Sequence, residues 1–358
     1  MTDRPSLLDD RRVLPIALGA NWIYALPAAD PARDGVLLID AGPDYDGAWE
    51  ALVAQLHAAG LNPSQVRTVL ITHAHLDHCG LAQRWQQQGA QLAGSADEVS
   101  RFLLGDRVAR HQADLVVRFM LEAGVPADKL EQIIRRRRDR PASPPRPESP
   151  DQRAARQRPS RERWPDVLRG TPFQLDRELA DGDEIVVGDR RLRFIAAPGH
   201  TPGNAVYLEE AQDAAGASLF SGDQLLPHIT PNPGLHFHSR TQRFRSLPAY
   251  TRSLERIATL GAQHLYPGHG EPRDGSVQDA IDRTLSHHTK RQQRVLHFLR
   301  DGPLSPYQVL AKFFPHLPDA RLWQAFAEVI GHIDALVERG EVVEEESESG
   351  ERTLRRPG

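Results

Sequence analysis

The stretch Thr72-His73-Ala74-His75-Leu76-Asp77-His78-Cys79-Gly80 carries four side chains of the metal-ligand type within six residues. It follows an apolar run, residues 69–71, that predicts a buried strand, and it precedes a segment with helical spacing. Imidazole and carboxylate groups suit zinc, iron or manganese rather than calcium or magnesium. A hydrophobic core would gain nothing from three histidines at this junction. The stretch therefore predicts a transition-metal site.

The order of the ligand types within this stretch favours two metal centres over one. His73 and His75 are two residues apart on extended backbone, so their side chains point to the same side. Asp77 and His78 are neighbours in the first turn of the predicted helix, so their side chains diverge. Two adjacent centres can therefore draw their ligands from one short segment.

Three more residues of the ligand type follow predicted strands further along the chain. A glycine beside each of them lets the backbone turn sharply and approach a shared centre. The four loops together contain five of the sixteen histidines of the chain and predict one binuclear site. The three additional residues are His200 after Pro198-Gly199, Asp223 after Ser221-Gly222, and His269 after Pro267-Gly268.

This arrangement resembles the metallo-β-lactamase-fold hydrolases. The resemblance rests on Asp40 after the first long strand, on the motif His73-x-His75-x-Asp77-His78, and on the order of the later ligands. It covers roughly residues 13–275 apart from an insert, and it implies an α/β fold, a four-layer αββα sandwich with the metals at one edge of the two sheets. The branch that it indicates is the lactamase-β-like or hydroxyacylglutathione-hydrolase-like one.

The resemblance also implies two divalent metal ions, with zinc expected and iron or manganese as alternatives. It makes Asp223 the bridging ligand, while Asp40 orients ligands without binding a metal. Asp77 is the expected catalytic residue, because it can orient the attacking hydroxide as well as bind a metal. The implied ligands are His73, His75 and His200 for one metal, and Asp77, His78 and His269 for the other.

Composition along the chain predicts two domains and an insert. A catalytic domain over residues 1–278 is interrupted at about 100–172 by a helical insert, of which about 139–163 is rich in arginine and proline and is predicted to be flexible. Residues 279–358 form the second domain. Three helical patterns and a two-stranded ribbon there give the outline of a winged helix.

Charge and composition exclude several classes of function. The chain has 44 Lys+Arg against 48 Asp+Glu, and the predicted wing is rich in glutamate, so a nucleic-acid partner is not expected. No apolar run reaches the roughly 18–20 residues of a membrane helix, so no membrane partner is expected. The single cysteine, Cys79, indicates a reducing, cytoplasmic location. A homodimer is compatible with these features.

The leading hypothesis is a binuclear metal-dependent hydrolase that uses a metal-bridging hydroxide on a small acyl substrate. A thioester is favoured, either an acyl-CoA or a glutathione conjugate, because a thiolate leaves with little help from a general acid. The chain departs from hydroxyacylglutathione hydrolase, or glyoxalase II, at Asn204, where that enzyme commonly has a further histidine.

Two alternatives use the same metal ligands. A nuclease or phosphodiesterase fits the lactamase-β-like branch, although the glutamate-rich wing would repel phosphate. An iron-dependent oxidoreductase of the persulfide dioxygenase type would need only one iron, so that the second ligand set would be superfluous.

Overall fold

The computed structural model describes residues 12–98, 105–138, 168–210, 216–239, 241–272 and 276–358, without the side chains of 105–110 and 136–138. The predicted flexible segment 139–163 lies outside the described residues. The chain divides into two compact units. The first unit comprises Met1–Gly105, Ser160–Pro231 and Arg252–Arg283; the second comprises Asp106–Pro159, Asn232–Thr251 and Thr284–Gly358.

The strands form two larger sheets and two small ribbons. In chain order they are β1 (Leu14–Leu18), β2 (Asn21–Pro27), β3 (Val36–Ile39), β4 (Val66–Leu70), β5 (Gln91–Gly94), β6 (Arg177–Glu178), β7 (Glu184–Val187), β8 (Arg190–Ala196), β9 (Ala205–Glu209), β10 (Ala217–Gly222), β11 (His236–Phe237), β12 (Arg243–Phe244), β13 (Ala262–Pro267), β14 (Val343–Glu346) and β15 (Arg352–Arg355). The first sheet has the order β1-β2-β3-β4-β5-β6, antiparallel up to β3 and parallel from β3 onward. The second has the order β13-β10-β9-β8-β7, in which β10 and β13 are parallel and the other pairs are antiparallel.

The helices alternate with the parallel strands and dominate the C-terminal part of the chain. They are α1 (Ala48–Ala58), α2 (Leu76–Cys79), α3 (Ala82–Gln87), α4 (Gly105–Glu122), α5 (Ala127–Arg138), α6 (Ser246–Ala258), α7 (Val277–Phe298), α8 (Pro306–Phe313) and α9 (Leu322–Glu338). Two short 3-10 helices span Pro63–Gln65 and Asp319–Arg321. Among the described residues, none of these helices combines the length and the apolar character needed to cross a membrane.

A hydrophobic core lies between the two sheets of the first unit. Tyr24 of β2 meets Phe220 of β10 edge to face, with ring centroids 5.6 Å apart. The Tyr207 hydroxyl on β9 donates a hydrogen bond to the Ile71 carbonyl oxygen at 2.8 Å. These contacts connect inward-facing side chains of both sheets and hold the two sheets face to face.

Helices cover the outer faces of the sheets, and the residues of β3 show why. Leu37 belongs to the core between the sheets, whereas Leu38 belongs to a second core with Leu52 of α1 and Trp85 of α3. All four residues of β3 are buried, because both faces of its sheet are covered. On the second sheet, Arg256 of α6 donates to the backbone carbonyl of β8. The predicted αββα arrangement is thereby confirmed.

The second unit has its own apolar core, which contains helices α4, α5, α8 and α9. Phe119 of α4 and Phe326 of α9 have ring centroids 6.0 Å apart, and Val309 of α8 and Leu354 of β15 are fully buried in the same core. β14 and β15 pair as an antiparallel ribbon after α9. This order of helices and ribbon matches the predicted outline, while the assignment as a winged helix stays a prediction.

The apolar side chains of the helical hairpin α4–α5 pack in the core of the second unit. The sequence places this hairpin in an insert of the catalytic domain, and that assignment stays a prediction. An amphipathic hairpin requires an apolar partner, but its periodicity does not identify that partner. Compactness does not test independent folding, so the domain boundary at residue 278 stays a prediction.

We expect Trp85→Ala to lower the free energy of unfolding by about 3–5 kcal/mol, the usual cost of removing a buried indole. Trp85 is fully buried, lies 4.8 Å from the Trp49 ring and donates to the Ala41 carbonyl oxygen. Chemical denaturation measures the change. Val186→Ala is the control, because Val186 is 52% exposed and should change stability by less than about 0.5 kcal/mol. Equal effects of the two substitutions would contradict this packing.

Candidate metal centre

The seven predicted ligands lie where strands end or helices begin in the first unit. His73 and His75 follow β4, and the turn into α2 then presents Asp77 and His78. The structure brings all seven together in two groups, in each of which the ligand atoms lie within 4.8 Å of one another. The first group is His73, His75, His200 and Asp223; the second is Asp77, His78 and His269.

Three imidazole nitrogens converge in the first group. The Nδ1 atom of His75 lies 3.0 Å from Nε2 of His73 and 3.1 Å from Nε2 of His200. The Oδ2 atom of Asp223 is 3.5 Å from the same nitrogen of His200. Four potential ligand atoms thus surround one point from three separate loops.

The second group is joined to the first through Asp223. Oδ2 of Asp77 lies 3.4 Å from Nε2 of His78 and 3.3 Å from Nε2 of His269. Asp223 approaches the same two nitrogens, with Oδ1 3.4 Å from His78 and Oδ2 3.4 Å from His269. Its carboxylate therefore lies between the two groups, the position that a bridging ligand would occupy.

Hydrogen bonds at the outer nitrogens fix which ring atoms can bind a cation. The Thr72 hydroxyl donates its proton to the Asp40 carboxylate at 2.9 Å, because an ionised carboxylate can only accept. The hydroxyl oxygen of Thr72 therefore accepts a hydrogen bond from Nδ1 of His73 at 3.0 Å. Nδ1 of His78 donates to Asp40 at 2.7 Å, and Nδ1 of His269 donates to a backbone carbonyl at 2.9 Å. When these three rings are neutral, the lone pair of each is therefore on Nε2, which faces the cluster.

The distances and the donor chemistry fit divalent transition metals. Donor atoms about 2.0–2.2 Å from one tetrahedral ion lie about 3.3–3.6 Å from one another, close to the separations found in both groups. Oδ1 of Asp223 is buried and, among the described residues, accepts no hydrogen bond. Burying a carboxylate oxygen without a hydrogen-bond donor raises the free energy of the folded protein unless a cation lies beside it. The residues present thus suit the two ions that the superfamily resemblance implies.

Asp40 connects the segments that carry the ligands. Its Oδ1 accepts the backbone N–H of Thr72 at 2.8 Å, while its Oδ2 accepts Nδ1 of His78. The residue is 2% exposed and has a left-handed backbone with φ of 64°. Such a conformation is uncommon for a residue with a side chain, and it turns the chain sharply at the end of β3. Asp40 thus lies outside the two groups and contacts them through Thr72 and His78, while its role in orienting ligands stays a prediction.

Burial and charge set different protonation states in the two groups. Burial lowers the pKa of His200 to about 4 and holds the pKa of His73 well below its ordinary value. Burial opposes protonation of His269 too, but its hydrogen bonds with Asp223 and Asp77 raise its pKa to about 9. Burial raises the pKa of these two carboxyl groups, yet the charge on His78 and the hydrogen bond from His269 hold it below the usual value. The carboxylates are therefore ionised, the form that binds a cation.

Glycine at two positions allows the loops to approach each other. A Cβ atom on Gly268 would lie 2.6 Å from Cε1 of His78 and 2.7 Å from Oδ1 of Asp223. A Cβ atom on Gly222, whose φ is 49°, would lie 2.6 Å from the Thr72 hydroxyl. At these two positions glycine thus allows the backbone to approach the cluster closely, as the sequence predicts for glycines beside the candidate ligands.

Several residues beside the cluster carry no signal in the sequence. The Asn21 side-chain amide, at the start of β2, donates to Oδ2 of Asp77 at 3.1 Å. Asn204, noted only as a departure from a relative, is buried and donates to the Ala197 carbonyl oxygen at 3.2 Å. Glu98 accepts hydrogen bonds from two backbone amides near the ligands. These are lone polar residues without motif spacing, so only the tertiary contacts reveal them.

The comparison with known families agrees with the geometry. The sequence profile described as the metallo-beta-lactamase superfamily matches residues 30–269, a range that includes all seven candidate ligands. The chain therefore belongs to the metallo-beta-lactamase superfamily, and the predicted family membership is confirmed.

Three relatives show how far the likeness extends. The chain is 26% identical to "Probable metallo-hydrolase YqjP" of Bacillus subtilis strain 168 over 328 residues, which are 90% of this chain and 89% of that protein. A metallo-beta-lactamase family protein of Thermus thermophilus has a similar crystal structure, with a TM-score of 0.68, 27% identity, and coverage of 96% of this chain and 98% of that one. "Atrochrysone carboxyl ACP thioesterase" of Aspergillus fumigatus is 25% identical over 268 residues, 74% of this chain and 56% of that protein.

We expect His75→Ala to reduce the zinc content from about two to about one ion per chain, because a four-ligand group loses its central nitrogen. Elemental analysis of protein purified in the presence of zinc measures the stoichiometry. His57→Ala is the matched control, since His57 lies exposed on α1. An unchanged zinc content in His75→Ala would refute the assignment of the first group.

We expect Asp40→Asn to weaken metal binding by about 10–100-fold although it removes no ligand, because the outer partners of ligating histidines fix ring orientation. Titration against a chromophoric chelator measures the affinity. Asp46→Asn is the control, because the Asp46 side chain is 91% exposed. Equal affinities of Asp40→Asn and the control would show that Asp40 does not orient His78.

Proposed function

We propose that the chain is a binuclear metal-dependent hydrolase of small thioesters. The observation that carries the proposal is the Asp223 carboxylate, which lies within 3.5 Å of imidazole nitrogens from both ligand groups. A shared carboxylate of this kind suits two adjacent cations acting on one substrate. In the proposal, His73, His75 and His200 would hold one ion, Asp77, His78 and His269 would hold the other, and Asp223 would contribute to both.

The bound ions would supply a water nucleophile of lowered pKa and a Lewis acid for the carbonyl oxygen of the substrate. Zinc is the first metal to test, with iron and manganese as alternatives, since imidazole and carboxylate ligands accept all three. The remaining chemistry belongs to the residues of the chain.

Asp77 has the role of orienting the attacking water. Its Oδ2 atom is held by the Asn21 amide at 3.1 Å and lies 3.3 Å from Nε2 of His269. Because neighbouring groups hold its pKa below the usual value, Asp77 stays ionised and accepts a hydrogen bond rather than a proton. A fixed carboxylate acceptor positions the water for attack on the acyl carbon.

A thioester suits these residues better than an ester or an amide. Its thiolate departs without a proton, so orientation of the water and stabilisation of the developing oxyanion are sufficient. The name of the Aspergillus fumigatus relative, an acyl carrier protein thioesterase, supports a thioester, while that of the Bacillus subtilis relative supports hydrolysis with a metal. The acyl group could be carried on coenzyme A, on glutathione or on a carrier protein.

The completeness of the second ligand group argues against a one-iron oxidoreductase, because Asp77, His78 and His269 would then have no metal to bind. A phosphodiesterase would use the same ligands and is separated from a thioesterase by assay. The expected cytoplasmic location, the homodimer and the absence of a nucleic-acid partner remain predictions from the sequence.

The test is hydrolysis by the zinc-loaded full chain of an acyl-CoA, a glutathione thioester, an acyl carrier protein thioester and bis(p-nitrophenyl) phosphate. We expect turnover of at least one thioester, and a loss in His75→Ala of at least about 100-fold in kcat/KM, which corresponds to about 2.7 kcal/mol. His57→Ala should retain the activity of the unmodified chain.

Three results would overturn the proposal. The first is turnover of the phosphodiester alone, which would indicate the phosphodiesterase. The second is one iron per chain together with oxygen consumption, which would indicate the oxidoreductase. The third is thioester turnover that is unchanged in His75→Ala.

A further inference from the structure

Glu98 is a buried carboxylate that takes no part in the ligand groups. It follows β5 and is 3% exposed. Its Oε2 atom accepts the backbone N–H of Ala74 at 3.0 Å, and its Oε1 atom accepts the backbone N–H of Gly203 at 2.7 Å. Both oxygens are therefore used by the backbone of two distant segments.

The two segments are those that carry the histidines of the first group. Ala74 stands between His73 and His75, and Gly203 is three residues after His200 in the loop Pro198-Gly199-His200-Thr201-Pro202-Gly203. One carboxylate thus connects the loops whose ring nitrogens meet at 3.1 Å. Hydrogen bonds to an ionised acceptor are about twice as strong as neutral ones, so this connection resists separation of the loops.

The absence of a side chain at Gly203 supports the same interpretation independently. A Cβ atom there would lie 2.9 Å from the backbone nitrogen of Glu98 and 3.0 Å from its Cγ atom. Only glycine allows the loop to come this close to Glu98. The ligand motif itself does not require this second glycine, because Gly199 already stands beside His200.

Different contacts hold the second group. His78 is oriented by Asp40, His269 by the Ala20 carbonyl oxygen and Asp77 by Asn21. The hydrogen bonds of Glu98 described above instead reach the loops of His75 and His200. Loss of Glu98 should therefore act on one metal position and spare the other.

We propose that Glu98 is a positioning residue that sets the separation between His75 and His200 and thereby the metal affinity of the first group. The inference rests on the proposed function in one respect, that the two groups are metal centres. In this proposal Glu98 is not a metal ligand and acts through the backbone N–H groups of Ala74 and Gly203.

Glu98→Gln is the most informative variant, because it keeps the shape of the side chain. One amide oxygen can still accept a single N–H, but the NH2 group then faces the other backbone N–H, donor against donor. Gly203→Ala disrupts the same contact by placing a methyl group against Glu98, and it leaves the Glu98 carboxylate unchanged. If Glu98→Gln does not fold, Gly203→Ala still tests the proposal.

The experiment measures the two zinc affinities of the full chain by competition with a chromophoric chelator, and the absorption spectrum after cobalt(II) loading. In Glu98→Gln and in Gly203→Ala we expect one affinity to fall by about 10–100-fold while the other stays unchanged. The cobalt(II) bands of one equivalent should shift. Glu50→Gln is the control, since the Glu50 side chain is 69% exposed on α1.

The outcomes separate this proposal from the proposed function. Unchanged zinc affinities and cobalt(II) spectra in both variants would overturn the role of Glu98. Equal weakening of both ions, together with a lower melting temperature of the metal-free protein, would also overturn it, since that is the signature of a general loss of stability. Failure of the unmodified chain to bind two zinc ions would instead overturn the proposed function, whereas two bound ions without thioester turnover would leave the Glu98 test intact.

Discussion

The buried Asp40 carboxylate is the contact on which the candidate site depends. It follows β3 in a left-handed conformation and accepts hydrogen bonds from Thr72 and His78, so the ends of β3 and β4 and the helix α2 meet at one anion. Burying a carboxylate is unfavourable unless donors surround it, and the donors here belong to the segment that carries four of the candidate ligands. The same hydrogen bonds therefore offset the free-energy cost of burying the Asp40 carboxylate and fix the orientation of the candidate ligands.

Each ligand side chain is held by a partner outside the cluster or by the approach of two loops. Thr72 directs His73, a backbone carbonyl directs His269, and the Asn21 amide directs Asp77. In the neutral rings of His73, His78 and His269 the outer nitrogens donate these hydrogen bonds, so Nε2 is the atom that faces the cluster. A site organised in this way needs little rearrangement on binding, which favours affinity and correct placement of a reacting water.

More of the first unit than of the second could be predicted from the sequence. The motif from His73 to His78 and the three glycine-flanked loops predicted the residues that come together, and the resemblance that they carry implied the αββα fold. The partner of the α4–α5 hairpin could not be predicted, because amphipathic periodicity shows that a face is buried but not against which element. Glu98 and Asn21 were missed for a related reason, since a single polar residue has no spacing that distinguishes it from a surface residue.

The sequence alone shows which side chains can bind a cation, in what order they occur and which predicted strands they follow. The resemblance that they carry already implies two groups joined by Asp223, whereas the distances and the ring atoms that face the cluster come from the folded chain. The physical reason is that ligand type is a local property of a residue. The 3.0–3.5 Å separations depend on sheets, loops and buried carboxylates that are distant in the chain and meet only when it folds.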